Sequence, residues 1–588
     1  MCGILLIYSK KKKLDKKKCH SALDSIKNRG PDATLKEFFL DDKLFIANTI
    51  LSIVGDVKKG KKLYTSQSKR YKLSYNGEIY NYKKISKDFK KLKKSSSDTD
   101  VLANILDFKS NIDIAKLLDG MFAYCVYDNV KKLIHFNSDA QGEKKIFYYN
   151  DDDYLVCCST VKGILSFLDE KKINIDHNQF KNYFDTRHFI LFNKSVYNNI
   201  RYIEPGKSFT FNIQKNTWKS KIFDDPINWI DKKKYYLFKK NSDLFVKNYF
   251  KDVVNQIIDK ILPNISFGSM MSGGIDSSLQ SKALSKSKYL KKLIFIDYGK
   301  KDPTSKEIGK FKKYFKNKID IIKVNKQKHF SNLKTVYSLI KLPFFTHSLV
   351  GLNICCEYFK KNKCKVMFAG DGADELFGGY KLYEKINWRI EKNHSYSPYS
   401  NFNNFFSEKS EDTKIKSKKL WLRAFKKYNT FLPKNESKVQ ATLFVDYFFQ
   451  SVGVHNISLD FLSGENSVEV RNIFTTKTMI QNALNLPLKY KINLANKKHF
   501  RLKLILKNIF VDMFNEKLIF KKQGFPGFPN ESISFLNMSE RKEIKFYKKI
   551  LNKSKKITKA VEWKILNCFY FKKYCHKELN IKDIIKFS

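Results

Sequence analysis

ISFGSMMSGGIDSSLQSKAL, residues 265–284, runs from an apolar strand through Ser272, Gly273 and Gly274 directly into a helical stretch. Glycines let backbone N–H groups approach an anion, and a helix N-terminus carries about half a positive charge, so this turn reads as a phosphate cradle. It lacks the GK[ST] of a Walker loop. Asp276 stands inside the cradle and repels phosphate unless a divalent cation lies between them, and Mg²⁺ accepts such a mixed carboxylate and phosphate shell. On this stretch alone an ordinary tight turn is as good a reading.

The next glycine-rich loop tips the balance. FAGDGADELFGGY, residues 368–380, again follows a short apolar strand and threads Asp371, Asp374 and Glu375 between Gly370, Gly372, Gly378 and Gly379. Burying carboxylates this close together without a cation costs several kcal/mol. A metal and polyphosphate site removes that cost. From about residue 241 apolar runs ending in glycine, such as KKLIFIDYG (291–299), alternate with helical stretches. That is the βαβ rhythm of a parallel sheet, and ligands of open α/β sheets bind at the carboxyl edge where such loops meet.

Upstream the texture changes. Up to about residue 215 short alternating strands are broken by turn signals: KLFIANTILSIVG (43–55), YKLSYNGEIYNY (71–82), GMFAYCVYD (120–128), KKLIHFNSD (131–139) and YLVCCS (154–159). A β-rich domain with a few helices is expected there. Residues 216–240 lack periodicity and read as a linker, and the part from roughly 400 reads as largely helical and aromatic. No fixed-period repeat occurs.

Composition bounds the function. A chain of 588 residues with 42% hydrophobic and 15% aromatic content builds roughly two to four globular domains. The formal charge of +55 would suggest phosphate partners, but lysine runs through every region while arginine is scarce, so a chain-wide bias is read and no nucleic-acid partner is expected. The ten cysteines form no CxxC pair; the adjacent Cys157-Cys158 and Cys355-Cys356 read as buried core thiols in a reducing cytosol. ILLIY at the start is too short for a signal peptide, and no run of eighteen apolar residues marks a membrane span. A cytoplasmic location follows as the expectation.

Cys2, directly behind Met1, is the remaining oddity. Removal of Met1 would leave a thiol and a free α-amine on one residue, and an amine with a pKa near 7.7 to 8.0 can serve as base to a thiol at about 8.5.

Together these segments resemble the glutamine-hydrolysing asparagine synthetases. SGGIDSS (272–278) resembles their pyrophosphate loop and FAGDGADELFGGY their second nucleotide and magnesium loop. MCGI, NRGPD (28–32), LSIV (51–54), YNGEIYN (75–81), SSDTD (96–100), GMFAYCVYD and SDAQGEKKIFYY (138–149) resemble a class II glutamine amidotransferase domain of the N-terminal-nucleophile type. SVEVR (467–471) and KQGFPGFP (522–529) resemble later landmarks. The resemblance implies an α+β αββα-sandwich glutaminase domain (2–215), a linker (216–240) and an α/β parallel-sheet, ATP-pyrophosphatase-like synthetase domain (241–588).

It further implies roles. Cys2 attacks the side-chain amide of glutamine, Asn76 and Gly77 form the oxyanion hole, and Asp98, with Gly77 and Glu78, holds the amino-acid substrate. ATP is a substrate bound by Met271, Ser272, Gly273, Gly274, Asp276, Ser277, Ala369 and Gly370, with Mg²⁺ on Asp276 and Asp374. A carboxylate substrate becomes an acyl-adenylate; ammonia crosses between the domains through an apolar passage and displaces AMP. Asp371 matches the acidic position around ammonia transfer, and Lys503 is taken as the base-rich partner of the intermediate. Aspartate is the default acceptor, with another carboxylate of glycan or secondary metabolism, or a mainly ammonia-driven reaction, as the alternative. A homodimer is compatible with the resemblance.

The sequence also departs from the family. Ile50 falls where an arginine grips glutamine's α-carboxylate, Ser138 replaces the arginine of RDxxGxK, and Thr160 replaces a glutamate. Around SVEVR, Phe461, Gly464 and IFTT (473–476) replace a basic residue, a methionine and PFLD. These changes leave the acceptor open.

Overall fold

The computed structural model describes residues 1–55, 62–89, 92, 97–180, 190–191, 193–299, 302–316, 318–344, 346, 348–385, 411–493, 502–514, 518–519, 527–528, 535–552 and 559–576. KQGFPGFP lies outside these except for Gly527 and Phe528.

The first domain holds β1 (Gly3–Ser9), β2 (Ala33–Phe39), β3 (Leu44–Ile50), β4 (Tyr64–Thr65), β5 (Tyr71–Ile79), β6 (Gly120–Asp128), β7 (Leu133–Ser138), β8 (Phe147–Asn150), β9 (Tyr154–Cys158), β10 (Ile190–Leu191), β11 (Lys194–Ser195), β12 (Ile200–Tyr202), β13 (Lys207–Asn212) and β14 (Thr217–Ile222). They form two antiparallel sheets, ordered β10-β11-β12-β8-β9-β1-β3-β2 and β14-β13-β7-β6-β5-β4. β1 lies between β3 and β9 and is buried along its whole length. Because strand side chains alternate in direction, Ile4 and Leu6 enter the core shared with Cys125 and Tyr127 of the second sheet, while Leu5 and Ile7 face Cys19, Ala22 and Leu23 of the helix Lys16–Ser25. α1 (Asp98–Ile105) covers the other face of the second sheet, burying Val101 and Leu102 as it packs on β5. Each such buried Leu, Ile or Val contributes about 1.5–3 kcal/mol. Helix, sheet, sheet and helix are therefore stacked as the αββα sandwich expected of an N-terminal-nucleophile domain.

Residues 216–240 are structured, against the linker expectation. Thr217–Ile222 is the edge strand β14, paired with β13 from Asn212↔Thr217 to Lys207↔Ile222, and Lys232–Lys240 is a helix capped by Asp231. The strand is largely exposed and lysine-rich, so it carries no apolar alternation for sequence reading to find.

The second domain is built on β15 (Phe267–Met270), β16 (Leu290–Asp297), β17 (Ile319–Lys323), β18 (Val366–Ala369) and β19 (Glu469–Asn472), all parallel, in the order β17-β16-β15-β18-β19. The order runs outward one way from β15 and the other way from β18. These neighbours thus flank the topological switch point, where the loops after them open a ligand crevice. α2 (Ile275–Leu284) leaves the loop after β15 and α3 (Ala373–Phe377) the loop after β18. α4 (Asn456–Glu465) packs against the first domain, and α5 (Leu504–Met513) crosses α2. The described parts beyond residue 411 are mainly helical, apart from β19, as expected.

Candidate active sites

Cys2 lies at the entry to β1, whose Gly3 opposes Thr49 of β3. Its backbone nitrogen donates to Asn76 Oδ1 at 2.7 Å and its carbonyl accepts from Arg29 Nε at 3.1 Å, so the residue is held from both sides. Burial pushes the thiol's pKa up, partly offset by the positive charge at the chain terminus and a hydrogen bond from the Leu51 backbone. Activation therefore has to come from a base rather than from a standing thiolate.

The oxyanion candidates are ready beside it. Asn76 is fully buried, and its Nδ2 has no hydrogen-bond partner among the described residues. A buried amide donor left unmade costs about 1–3 kcal/mol, a cost a developing oxyanion would relieve. Gly77 next to it has φ +149°, and a Cβ there would fall 2.1 Å from the Met121 carbonyl on β6. Only glycine fits so close to the neighbouring strand.

Asp98 opens α1 and is buried; its Oδ2 accepts from the Tyr75 hydroxyl at 2.8 Å and the Ile79 amide at 3.0 Å, its Oδ1 from the Thr99 amide at 2.8 Å. Burial raises its pKa despite these donors. Such a desolvated carboxylate, fixed in orientation, suits a cationic α-ammonium. Glu78 instead points toward the second domain, where its Oε2 pairs with Arg471. Ile50, at the end of β3, is buried and presents no charge. The sequence reading missed Tyr75 and Arg29, although both sit inside motifs it had quoted, YNGEIYN and NRGPD.

In the second domain the two glycine loops touch. Gly370 backs onto Ser277, whose amide nitrogen lies 3.4 Å from where a Gly370 Cβ would be. Ser277 ties the first loop together: its hydroxyl accepts from the Ser272 amide at 3.1 Å, lies 3.0 Å from the Ser272 hydroxyl and donates to the Gly274 carbonyl at 3.2 Å. Gly273, at φ +74°, turns the chain, leaving the α2 N-terminus open toward the crevice. Met271 and Ala369 are buried at the strand ends and contribute backbone rather than side-chain chemistry.

Asp276 and Asp374 converge on one cation. Lys503 Nζ pairs with Asp276 Oδ2 and lies 2.6 Å from Asp374 Oδ1, and all three side chains are largely buried. Gly379 makes the arrangement possible, since a Cβ there would fall 1.9 Å from both Asp374 Oδ1 and Lys503 Cε. Asp276 Oδ1 is buried with no hydrogen-bond partner, which leaves a lone pair for an incoming cation. Among the described residues no three His, Cys, Asp or Glu side chains gather as a metal site. Asp371 is half-exposed, and its carbonyl accepts from Asn472 Nδ2 at 2.7 Å. Glu375 is buried, taking a hydrogen bond from the Tyr380 hydroxyl at 2.7 Å.

Between the two centres runs a charged seam. Arg29 of the first domain pairs with Asp460 of α4 at 2.8 Å, Lys144 with the same carboxylate at 3.3 Å, and Glu78 and Glu469 both meet the buried Arg471. A cavity of about 10 Å³, enough for one water-sized molecule, is lined by Glu143, Lys144, Asn456, Asp460, Asn472 and Thr475 among others. Leu459 and Val470 share this lining, so the cavity mixes apolar walls with charged and amide side chains. Burial and the neighbouring Asp139 carboxylate raise the Glu143 pKa to about 8.

Comparison with known proteins finds matches to both domains. A family model described as a glutamine amidotransferase domain matches residues 1–223, and one described as asparagine synthase matches 259–549. A Methanocaldococcus jannaschii protein provisionally named asparagine synthetase [glutamine-hydrolyzing] 2 is 28% identical over 421 residues, 65% of this chain and 76% of its own. Asparagine synthetase [glutamine-hydrolyzing] 1 of Bacillus subtilis is 23% identical over 394 residues, 66% of this chain and 60% of its own. A second M. jannaschii protein, provisionally named asparagine synthetase 1, is 23% identical over 539 residues, covering 86% of this chain and 85% of its own.

Proposed function

The chain belongs to the asparagine synthetase family, with a glutamine amidotransferase and a synthetase domain, and on that premise we propose that it makes asparagine from aspartate, glutamine and ATP. The observation that carries the proposal is the pairing of a buried, unmade amide donor beside Cys2 with a two-carboxylate crevice at the sheet switch point.

In the first centre, with Met1 removed, the Cys2 amine takes the thiol proton as sulfur attacks the glutamine amide. Asn76 Nδ2 and the Gly77 amide donate to the oxyanion, and Asp98 holds the substrate's α-ammonium. The Cys2 ammonium hands that proton to the amide nitrogen as the C–N bond breaks, ammonia leaves, and water releases glutamate from the thioester. In the second centre the α2 N-terminus and the Ser272–Ser277 loop would receive the β- and γ-phosphates of ATP, with Asp276 and Asp374 holding magnesium. The metal would supply charge neutralisation along the polyphosphate. Lys503, already between the two aspartates, would follow the phosphates as they enter. The acceptor carboxylate attacks the α-phosphorus, pyrophosphate leaves, and ammonia then displaces AMP near Asp371. The seam between the domains gives ammonia a route away from bulk solvent, and a cytoplasmic setting suits every substrate named.

A second reading is supported by Ile50 and by Ile473-Phe474-Thr475-Thr476, which alter the donor and acceptor surfaces: the enzyme amidates another carboxylate, drawing largely on free ammonium. Pyrophosphate release with Mg²⁺ and ATP over a panel of carboxylic acids separates the two. Aspartate as the best acceptor, with asparagine as product, supports the first reading, and another acid exceeding it tenfold supports the second. No pyrophosphate release with any acid would overturn both.

A further inference from the structure

An ammonium group is already seated in the seam. The α-ammonium of Met1 is wholly buried and lies 3.0 Å from Glu469 Oε2, on the first residue of β19. The other oxygen, Glu469 Oε1, takes a hydrogen bond from Arg471 Nε at 3.0 Å, and Arg471 reaches on to Glu78. Two carboxylates and two cations thus balance within one desolvated cluster. The Met1 thioether fills the adjoining space, 3.8 Å from the Ser463 hydroxyl; a Cβ on Gly464 would fall 2.9 Å from its sulfur.

Excision of Met1, which the proposed role of Cys2 requires, breaks this balance. Cys2 is pinned by Asn76 on its nitrogen side and by Arg29 on its carbonyl side, so it stays in place while the position beyond it empties. Glu469 Oε2 then faces the buried volume vacated by the Met1 ammonium and thioether together, with a carboxylate oxygen at one end of it. Arg471 still holds Oε1, but it is shared with Glu78, so two buried carboxylates are left to one guanidinium and Oε2 has lost its cation. A small cation restores the balance, and the reaction beside it releases one.

We propose that Glu469 forms an ammonium site between the two centres, occupied in the mature protein by the nitrogen released at Cys2. The inference rests on the reading of Cys2 as the mature terminal nucleophile. Its position suits transfer. Val470, the next residue, lines the interdomain cavity, as does Asn472, whose side chain holds the Asp371 carbonyl. Asn456, Leu459, Asp460 and Ser463 share one face of α4 at i, i+3, i+4 and i+7, which joins the Met1 pocket to that cavity. Ammonium held at Glu469 gives up a proton before it reacts, because only neutral ammonia attacks an acyl-adenylate. Glu143, within electrostatic reach of Glu469 and hydrogen-bonded to Thr475, lines the cavity and takes that proton when ionised.

The experiment uses the full-length mature protein, with Met1 removal verified by intact mass, crystallised and soaked in thallous acetate as a heavy mimic of ammonium. An anomalous peak against Glu469 that ammonium acetate displaces is the expected result, together with at least a fivefold fall in product formed per glutamate released in Glu469→Gln. Glutamine at this position still accepts from Arg471, and Glu469→Asp should recover part of the coupling. With Met1 absent, no peak at Glu469, or unaltered coupling in a folded Glu469→Gln, overturns the ammonium site and leaves the Cys2 reading standing. A mature protein that shows the peak but releases no glutamate would sink the Cys2 reading and keep the cation site. Retention of Met1 in active protein would overturn both.

Discussion

The two centres hold their charge in opposite ways. Around Cys2 the groups are fixed in place: Asn76 keeps its donor unmade, Asp98 is oriented by Tyr75, Ile79 and Thr99, and among the described residues no cation pairs with it. In the crevice after β15 and β18 the protein answers its own carboxylates, with Lys503 between Asp276 and Asp374. The first centre awaits a substrate that brings its own α-ammonium. The second awaits an exchange, in which phosphate and metal take over charges the lysine now balances. A neutral amide can be handled by a rigid, dry pocket, whereas a polyphosphate of varying charge needs a partner able to move.

Removing Cys2 breaks the contrast most sharply. Cys2→Ala should lower glutamine-driven synthesis on the order of a thousandfold or more while ammonium-driven synthesis persists, because only one centre loses its nucleophile. Parallel assays with each nitrogen source check it, and equal loss of both in a folded protein would mean the centres are not separable. Lys503→Met should then affect both nitrogen sources alike. It leaves two buried carboxylates facing each other, so we expect a stability loss of about 3–5 kcal/mol by urea unfolding and pyrophosphate release reduced roughly a hundredfold. Stability equal to the parent would show that the lysine does not balance the pair.

Ile50 sharpens the comparison on the donor side. A charge-assisted hydrogen bond contributes about 1.5–3 kcal/mol, so Ile50→Arg should lower the KM for glutamine roughly ten- to hundredfold, with ammonium kinetics unaffected. An already micromolar KM in the parent would refute it. The smallest effect lies in the seam. Glu143 binds its proton more tightly folded than unfolded, so the fold loses stability as pH rises from the ordinary carboxylate range toward about 8 and loses no more beyond it. Glu143→Gln should therefore gain about 1–3 kcal/mol at pH 8 relative to the parent and little at pH 4. Urea midpoints at both pH values test the sign.

How much was legible depended on whether a feature repeats along the chain or is assembled across it. The glycine loops, Cys2 and the change from strand alternation to βαβ rhythm are local patterns, whereas Asn76 and Asp98 were legible only through the family resemblance; each expected fold survives in the sheets observed. The strand Thr217–Ile222 was not legible, because an exposed edge strand is held by pairing with β13 and has no buried face to alternate. The polar seam was invisible for a related reason: Glu143, Asp460 and Glu469 are ordinary surface residue types until two domains close over them.

The sequence by itself therefore determined the identity of the chemistry-bearing groups and the two architectures that present them, since strand period, glycine placement and residue type are properties of a short stretch of chain. Only the tertiary structure decided which charges answer one another: that Lys503 lies between Asp276 and Asp374, and that Glu469 faces the ammonium beside Cys2. Those pairings join residues more than a hundred positions apart, and burial, which sets their strength, exists only once the sheets and domains have packed.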